Sequence, residues 1–258
     1  MKSFLFIILI LTSVFCKTQD PMSELVTDRP DQTESSAVVP HKSLQIETGF
    51  VMENNETNLI EQKTFTYSTT LLRYGLLENF ELRLGLEYLG EKVLIKNNDT
   101  TNTFSGLSPV YTGFKVKVNE EDGWKPEIAL LGGIKSPFTA NEHFKLSHTA
   151  GIIRFALAHT LSDRFSLGYN LGAEWDGESV ITRYFYSFAL GIAINTNLAM
   201  FVESFGLVPE EGDAEHLLDA GLTYLILPNL QMDVSGGIGI HNAPDSFVSF
   251  GFSFRLPG

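Results

Sequence analysis

The stretch "NFELRLGLEYLG", residues 79–90, decides the fold class. Phe80, Leu82, Leu84, Leu86 and Tyr88 fall on one face, and Glu81, Arg83, Gly85 and Glu87 on the other. A period of two belongs to a β-strand with one apolar face; a helix would repeat at 3.6. The pattern returns in "RFSLGYNLGAEW" (164–175), "NLQMDVSGGIGI" (229–240) and "FVSFGFSFRL" (247–256). Applied along the chain, the template predicts about twelve strands. They fall near 43–53, 64–75, 80–89, 107–118, 125–135, 149–161, 165–175, 180–194, 198–206, 216–226, 230–240 and 246–256. In the second, alternation slips between Phe65/Tyr67 and Leu72/Tyr74, which predicts a β-bulge.

The connections also alternate. "LLEN", "NEEDG", "SDR", "NTN" and "LPN" are tight, whereas "NNETNLIEQK", "GEKVLIKNNDTTNTFS" and "SPFTANEHFKLSH" read as long polar loops. Short turns on one rim, longer loops on the other and an even strand count are the signature of an outer-membrane barrel. A soluble sandwich shares the alternation, so the character of the faces must separate the two. The polar face is rich in small residues: Gly85, Gly113, Gly168, Gly172, Ala156, Ala189, Gly191, Gly221 and Gly251. A crowded lumen calls for them and a solvated surface does not. On that same face Glu47, Glu81, Glu87, Glu127, Glu174, Glu203, Asp219 and Asp233 accompany Arg83, Lys115, Lys117, Lys135, Arg154, Arg183 and Arg255. Near-neutrality suits charges confined together. Phe80, Phe165 and Tyr74 lie beside the tight turns and Tyr88, Trp175 and Tyr184 at the opposite strand ends, as two aromatic belts would. These features predict an all-β fold: a closed antiparallel transmembrane β-barrel preceded by a short periplasmic N-terminal segment.

Bulk composition narrows the function. With 31 acidic and 18 basic residues, net −13, and no Lys/Arg cluster, nucleic-acid binding is not expected. "MKSFLFIILILTSVFCKTQD" has the charged start and apolar run of a signal peptide over 1–18, too short for a spanning helix. Cys16, the single cysteine, lies beside the expected cleavage point, so no disulfide framework is expected. Residues 19–42 then read as the periplasmic segment, a candidate plug, and 43–258 as the barrel.

That segment holds "TDRPDQTESS", residues 27–36, with four charges around Pro30 and no side chain for lipid. Thr27-Asp28-Arg29-Pro30-Asp31-Gln32-Thr33-Glu34-Ser35, then Gln45-Ile46-Glu47-Thr48-Gly49-Phe50, resembles the start of a family of bacterial outer-membrane transporter-like proteins labelled as a MetA pathway of phenol degradation. "LLRYGLLENFELRLGLEY" (71–88) resembles that family's second hairpin, and "SFRL" (253–256) suits its last strand. The resemblance implies a location in the outer membrane of a Gram-negative-type bacterium. The implied partners are outer-membrane lipid, the barrel-assembly machinery and a small solute, aromatic or hydrophobic, taken up passively.

Candidate pore-lining residues are Glu47, Glu81, Arg83, Glu87, Lys115, Lys117, Arg154, Glu174, Arg183, Asp233 and Arg255. Within the motif, Asp28, Asp31 and Glu34 are expected to meet Arg83, Arg154 or Arg255, and Arg29 a lumen carboxylate, at the lower barrel mouth. A non-conducting structural or binding barrel is the alternative. A hydrolase is the weaker one: His143 and His148 flank Ser147, but no G-x-S-x-G or H-E-x-x-H motif accompanies them. "DGES" and "EEGD" read as solvated loop acids, and neither a metal nor a cofactor is expected.

Overall fold

The structure, a computed structural model, describes residues 23–97 and 99–256. The expected signal peptide, Cys16 and the terminal Pro257-Gly258 lie outside them. The strands are β1 (Leu44–Glu56), β2 (Ile60–Leu77), β3 (Phe80–Ile95), β4 (Thr100–Leu107), β5 (Val110–Asn119), β6 (Glu127–Ser136) and β7 (Ala150–Thr160). They continue as β8 (Phe165–Trp175), β9 (Arg183–Ala193), β10 (Leu198–Pro209), β11 (Glu215–Leu227), β12 (Leu230–His241) and β13 (Ser246–Leu256). Each pairs antiparallel with its sequence neighbour, except that β3 pairs both β4 and β5. The ring closes where β1 meets β13, from Leu44↔Leu256 to Asn54↔Ser246. Twelve strands form the barrel, and β4 stands outside it on the upper half of β3.

Two expected loops are corrected, one by longer β1 and β2 and one by the extra strand. Between β1 and β2 only Thr57–Leu59 remain unpaired, and within "GEKVLIKNNDTTNTFS" residues 90–95 form the top of β3 and residues 100–105 all but the last two residues of β4. Val93, Leu94, Ile95 and the threonines of β4 are strong strand formers, and above the bilayer a strand needs no apolar face. The strand expected at 107–118 is broken at Ser108-Pro109, where proline has no N–H to give a ladder. Ser108 N keeps the kink attached by donating to Glu87 O at 3.0 Å. The expected bulge is present: pairing of β2 with β3 shifts between Thr66 and Ser68, at Tyr67. After β6 the chain makes two short 3-10 turns, Pro137–Thr139 and Glu142–Phe144.

The distribution of side chains is the reverse of a soluble protein's. Leu82, Val234, Phe250 and Phe252 are exposed on the outer face, while Arg73, Lys115, Glu47 and Glu81 rank among the largest fully buried side chains. The buried apolar cluster is confined to Ala129, Leu131 and Ala156. A sandwich would collapse around its aliphatic face; this ring turns that face outward and holds its charges inside, as a barrel in lipid must. Tyr74 and Phe165 near one rim, and Tyr88, Trp175 and Tyr184 near the other, are all exposed on the outer face.

An arginine at Val234, in the middle of β12 on the outer face, should therefore destabilise the folded protein by about 2–4 kcal/mol. Thr101→Lys on β4, above the barrel, should stay within about 0.5 kcal/mol. Unfolding midpoints in detergent or lipid vesicles compare the two directly.

Candidate functional site

The chain enters the barrel before it builds it. Residues 23–43 run through the lumen as irregular backbone, and their N–H and C=O groups are met by wall side chains. Asp28 N donates to Glu47 Oε2 (2.9 Å), Gln32 N to Glu203 Oε2 (2.8 Å), Glu34 N to Asn170 Oδ1 (2.7 Å) and Val39 N to Glu81 Oε2 (2.7 Å). In the other direction Gln45 Nε2 donates to Val26 O, Asn170 Nδ2 to Glu34 O, Lys115 Nζ to Ser35 O and Arg73 Nη2 to Ala37 O. Arg255, on β13, donates to the carbonyls of Ser23 and Glu24 and so anchors the segment's start rather than an acid. Irregular backbone at membrane depth survives only where protein satisfies it in this way.

Charge fixes the middle of the segment. Asp28 pairs with Arg83 (2.8 Å), Lys115 (2.9 Å) and Arg73 (3.0 Å), and also accepts from Ser35 N and Oγ. Burial opposes its charge, but Arg73, Lys115 and Arg83 overcome that and hold the carboxyl well below the ordinary range. Glu34 reaches Arg83 at 2.7 Å and Lys115 at 3.7 Å. Arg73 ties the cluster together, bridging Glu81 (2.8 Å) and Glu47 (2.8 Å) as well as Asp28. It was not among the residues expected to line the lumen, because the bulge at Tyr67 shifts the facing of everything after it on β2.

Arg29 makes the second anchor. Its guanidinium bonds Asp233 through Nη2 (2.8 Å) and Nε (3.3 Å), Thr69 Oγ1 through Nη1 (2.9 Å) and Ser249 Oγ through Nη2 (2.9 Å). It lies over the paired residues Gly49 and Gly251, where an added methyl would stand 2.5 and 2.6 Å from Nη2. Gly168 likewise faces the Thr33 methyl, and Gly113 and Gly133 face the Tyr111 ring. Small lumen residues here make room for the segment and for inward rings; they do not leave an open bore.

The other motif residues are also placed. Thr27 Oγ1 donates to Arg29 O and accepts from Gln231; Thr33 Oγ1 donates to Ser187 Oγ (2.7 Å) and lies against Glu203. Asp31 meets neither Arg154 nor Arg255. Burial, followed by the carboxylates of Glu203 and Asp219, pushes it well above the ordinary range. Among the expected wall residues, Arg154 pairs with Glu174 at 3.0 Å and lies 3.6 Å from the Phe185 ring centre. Lys117 pairs with Glu127 (3.0 Å) and Arg183 with Glu215 (3.2 Å), while Glu87 accepts from Ser108 Oγ at 3.3 Å. At the outer rim, Ser147 Oγ donates to Glu178 and His143 bonds Glu91 while stacking on Phe104.

Two cavities flank the segment. One of about 480 Å³ is lined by the upper parts of the strands, including Glu174, Phe185 and Phe205; one of about 270 Å³ by their lower ends, including Ser166, Gly191 and Phe201. Arg29, Pro30 and Asp31 line both and stand between them. A side chamber of about 210 Å³ shares Thr69, Glu87 and Arg154 with the upper cavity.

A family described as "Putative MetA-pathway of phenol degradation" matches residues 27–256. No curated protein matches the sequence significantly. Among solved structures, an outer-membrane channel from Pseudomonas putida F1 is similar at TM-score 0.66 and 10% identity, covering 93% of this chain and 100% of that one. The transport unit of the autotransporter AIDA-I from Escherichia coli is similar at TM-score 0.54 and 8% identity, with 100% and 98% covered. A KdgM porin follows at TM-score 0.51 and 10% identity, with 83% and 99% covered. These likenesses establish an outer-membrane barrel fold.

Replacing Arg73 by Ala should cost about 3–5 kcal/mol, because Glu47, Glu81 and Asp28 lose the cation they share in a buried place. Arg183→Ala, at the better-solvated outer rim, should cost at most about 1 kcal/mol. The temperature at which the folded band is lost on a gel ranks the two variants.

Proposed function

This chain belongs to the family described as a MetA pathway of phenol degradation, and on that premise we propose that it is a passive channel. It lies in the outer membrane of a Gram-negative-type bacterium, admits small solutes of aromatic or apolar character, and is gated by its own N-terminal segment. The observation that carries the reading is the pair of cavities at opposite ends of the same strands, separated by Arg29–Asp31. A barrel of twelve strands is intermediate between those filled by side chains and the wide porins. Its lumen can conduct once the N-terminal segment moves aside. Selectivity then comes from pore width and the charges along the wall, without catalysis or a cofactor.

Two measurements test this. Deleting residues 25–36 should raise single-channel conductance in planar bilayers; steps of unchanged size would exclude the gate, and no steps in either form would favour a sealed barrel. The second is pH. Asp31 is raised in the docked segment, so docking takes up a proton: it strengthens as pH falls and weakens as pH rises through the docked value. Asp28 shifts the opposite way, and its contribution to docking is lost only in strong acid, below its ordinary 3.8. The open fraction should therefore decrease as the pH is lowered from the docked value of Asp31 towards the ordinary carboxylate range, and Asp31→Asn should flatten the dependence.

A further inference from the structure

The upper cavity is lined by two unlike kinds of side chain. Phe185, Phe205 and Phe247 turn into the lumen with Leu207 and Leu217, against the general rule that a barrel interior is polar. Phe185 and Phe247 are buried, and Gly237 leaves the space that the Phe247 ring occupies. Beside them stand carboxylates, with Glu53 on β1 paired across the seam to Phe247 on β13. The two cations that line the cavity are already matched, Arg29 by Asp233 and Arg154 by Glu174, and Glu215 is matched by Arg183. Glu53, Glu87 and Asp31 form no ion pair among the described residues.

We infer that the upper cavity is a binding site for small aromatic cations, of the arylalkylammonium class, and that it disfavours aromatic carboxylates. An aromatic ring would lie against the phenylalanines and its ammonium would face Glu53 and Glu87. A volume of about 480 Å³ holds a monocyclic solute. The ring faces add cation–π attraction for the same charge, as Arg154 over Phe185 already demonstrates. A bare metal ion is the poorer occupant: among the described residues no three acids or histidines converge closely enough to hold one. An aromatic carboxylate would bring its charge beside the unpaired acids Glu53 and Glu87, and Arg154 cannot offset them because Glu174 has claimed it. This rests on the channel reading only in treating the cavity as part of a solute path.

Titration calorimetry of the full chain in detergent, with benzylammonium, benzyl alcohol and benzoate as probes, tests the site without requiring conduction. Benzylammonium should bind roughly tenfold more tightly than either other probe, the scale of one cation–π contact with a partly desolvated charge pair. The E53Q/E87Q pair should abolish its advantage over benzyl alcohol, and F205A/F247A should weaken both ring compounds. Equal binding of benzoate, no binding of benzylammonium, or a preference unchanged in E53Q/E87Q would overturn the inference. The three-probe comparison needs only the wild-type chain, so a variant that misfolds does not decide it. Failure of conductance with the binding preference intact would instead count against the channel and leave the site standing.

Discussion

The carboxylate of Asp28 among Arg73, Arg83 and Lys115 is the contact on which the interior depends. Those cations come from β2, β3 and β5, all buried, and the wall supplies only Glu47 and Glu81 beside them. A ring with three such cations and two acids is left one charge out of balance in a poorly solvated place. Burying an unmatched charge costs several kcal/mol, so an acid must come from outside the ring. The N-terminal segment provides it in Asp28, which meets all three cations, and the barrel lumen and its plug are therefore one electrostatic unit. Arg29 on Asp233 repeats the arrangement with the signs exchanged.

The backbone of that segment faces the same constraint in a different form. It has neither helix nor ladder, yet it lies at the depth of the bilayer. Glu47, Glu81, Glu203 and Asn170 accept its N–H groups, while Lys115, Arg73, Asn170 and Gln45 donate to its carbonyls. The charged residues of the wall thus have two tasks at once, and Glu81 shows both, accepting from Val39 N and from Arg73. The glycine pair Gly49 and Gly251 supplies the remaining requirement, space for a guanidinium against the sheet.

Much of this was legible in the sequence, for reasons that also mark where it stopped. Alternation such as that of Phe80–Tyr88 fixes which side chains share a face, so Glu81, Arg83, Lys115 and Asp233 could be assigned to the lumen. It fails where the period breaks, and one bulged residue, Tyr67, concealed Arg73, a cation that bridges three acids. Polarity misled at the outer rim, where the Thr-rich stretch of β4 resembles a loop because strands above lipid need not alternate. Which acid meets which base depends on the circular order of strands and on the depth of each residue. Arg29 with Asp233 joins positions 204 apart, and no local pattern encodes that pair.

The order of the chain sets the order of its assembly. Arg29 comes before every strand, yet Asp233 is on β12 and the ring closes only when β13 reaches β1. The segment synthesised first after residue 22 therefore has no complete berth until the last hairpin is in place. Before closure Arg73, Arg83 and Lys115 have only Glu47 and Glu81 of the wall as acid partners, and the N-terminus can dock completely only once the ring has closed. The plug thereby acts as a check on completion: only a ring with all twelve strands in register presents, on opposite walls, both the cations for Asp28 and the acid for Arg29.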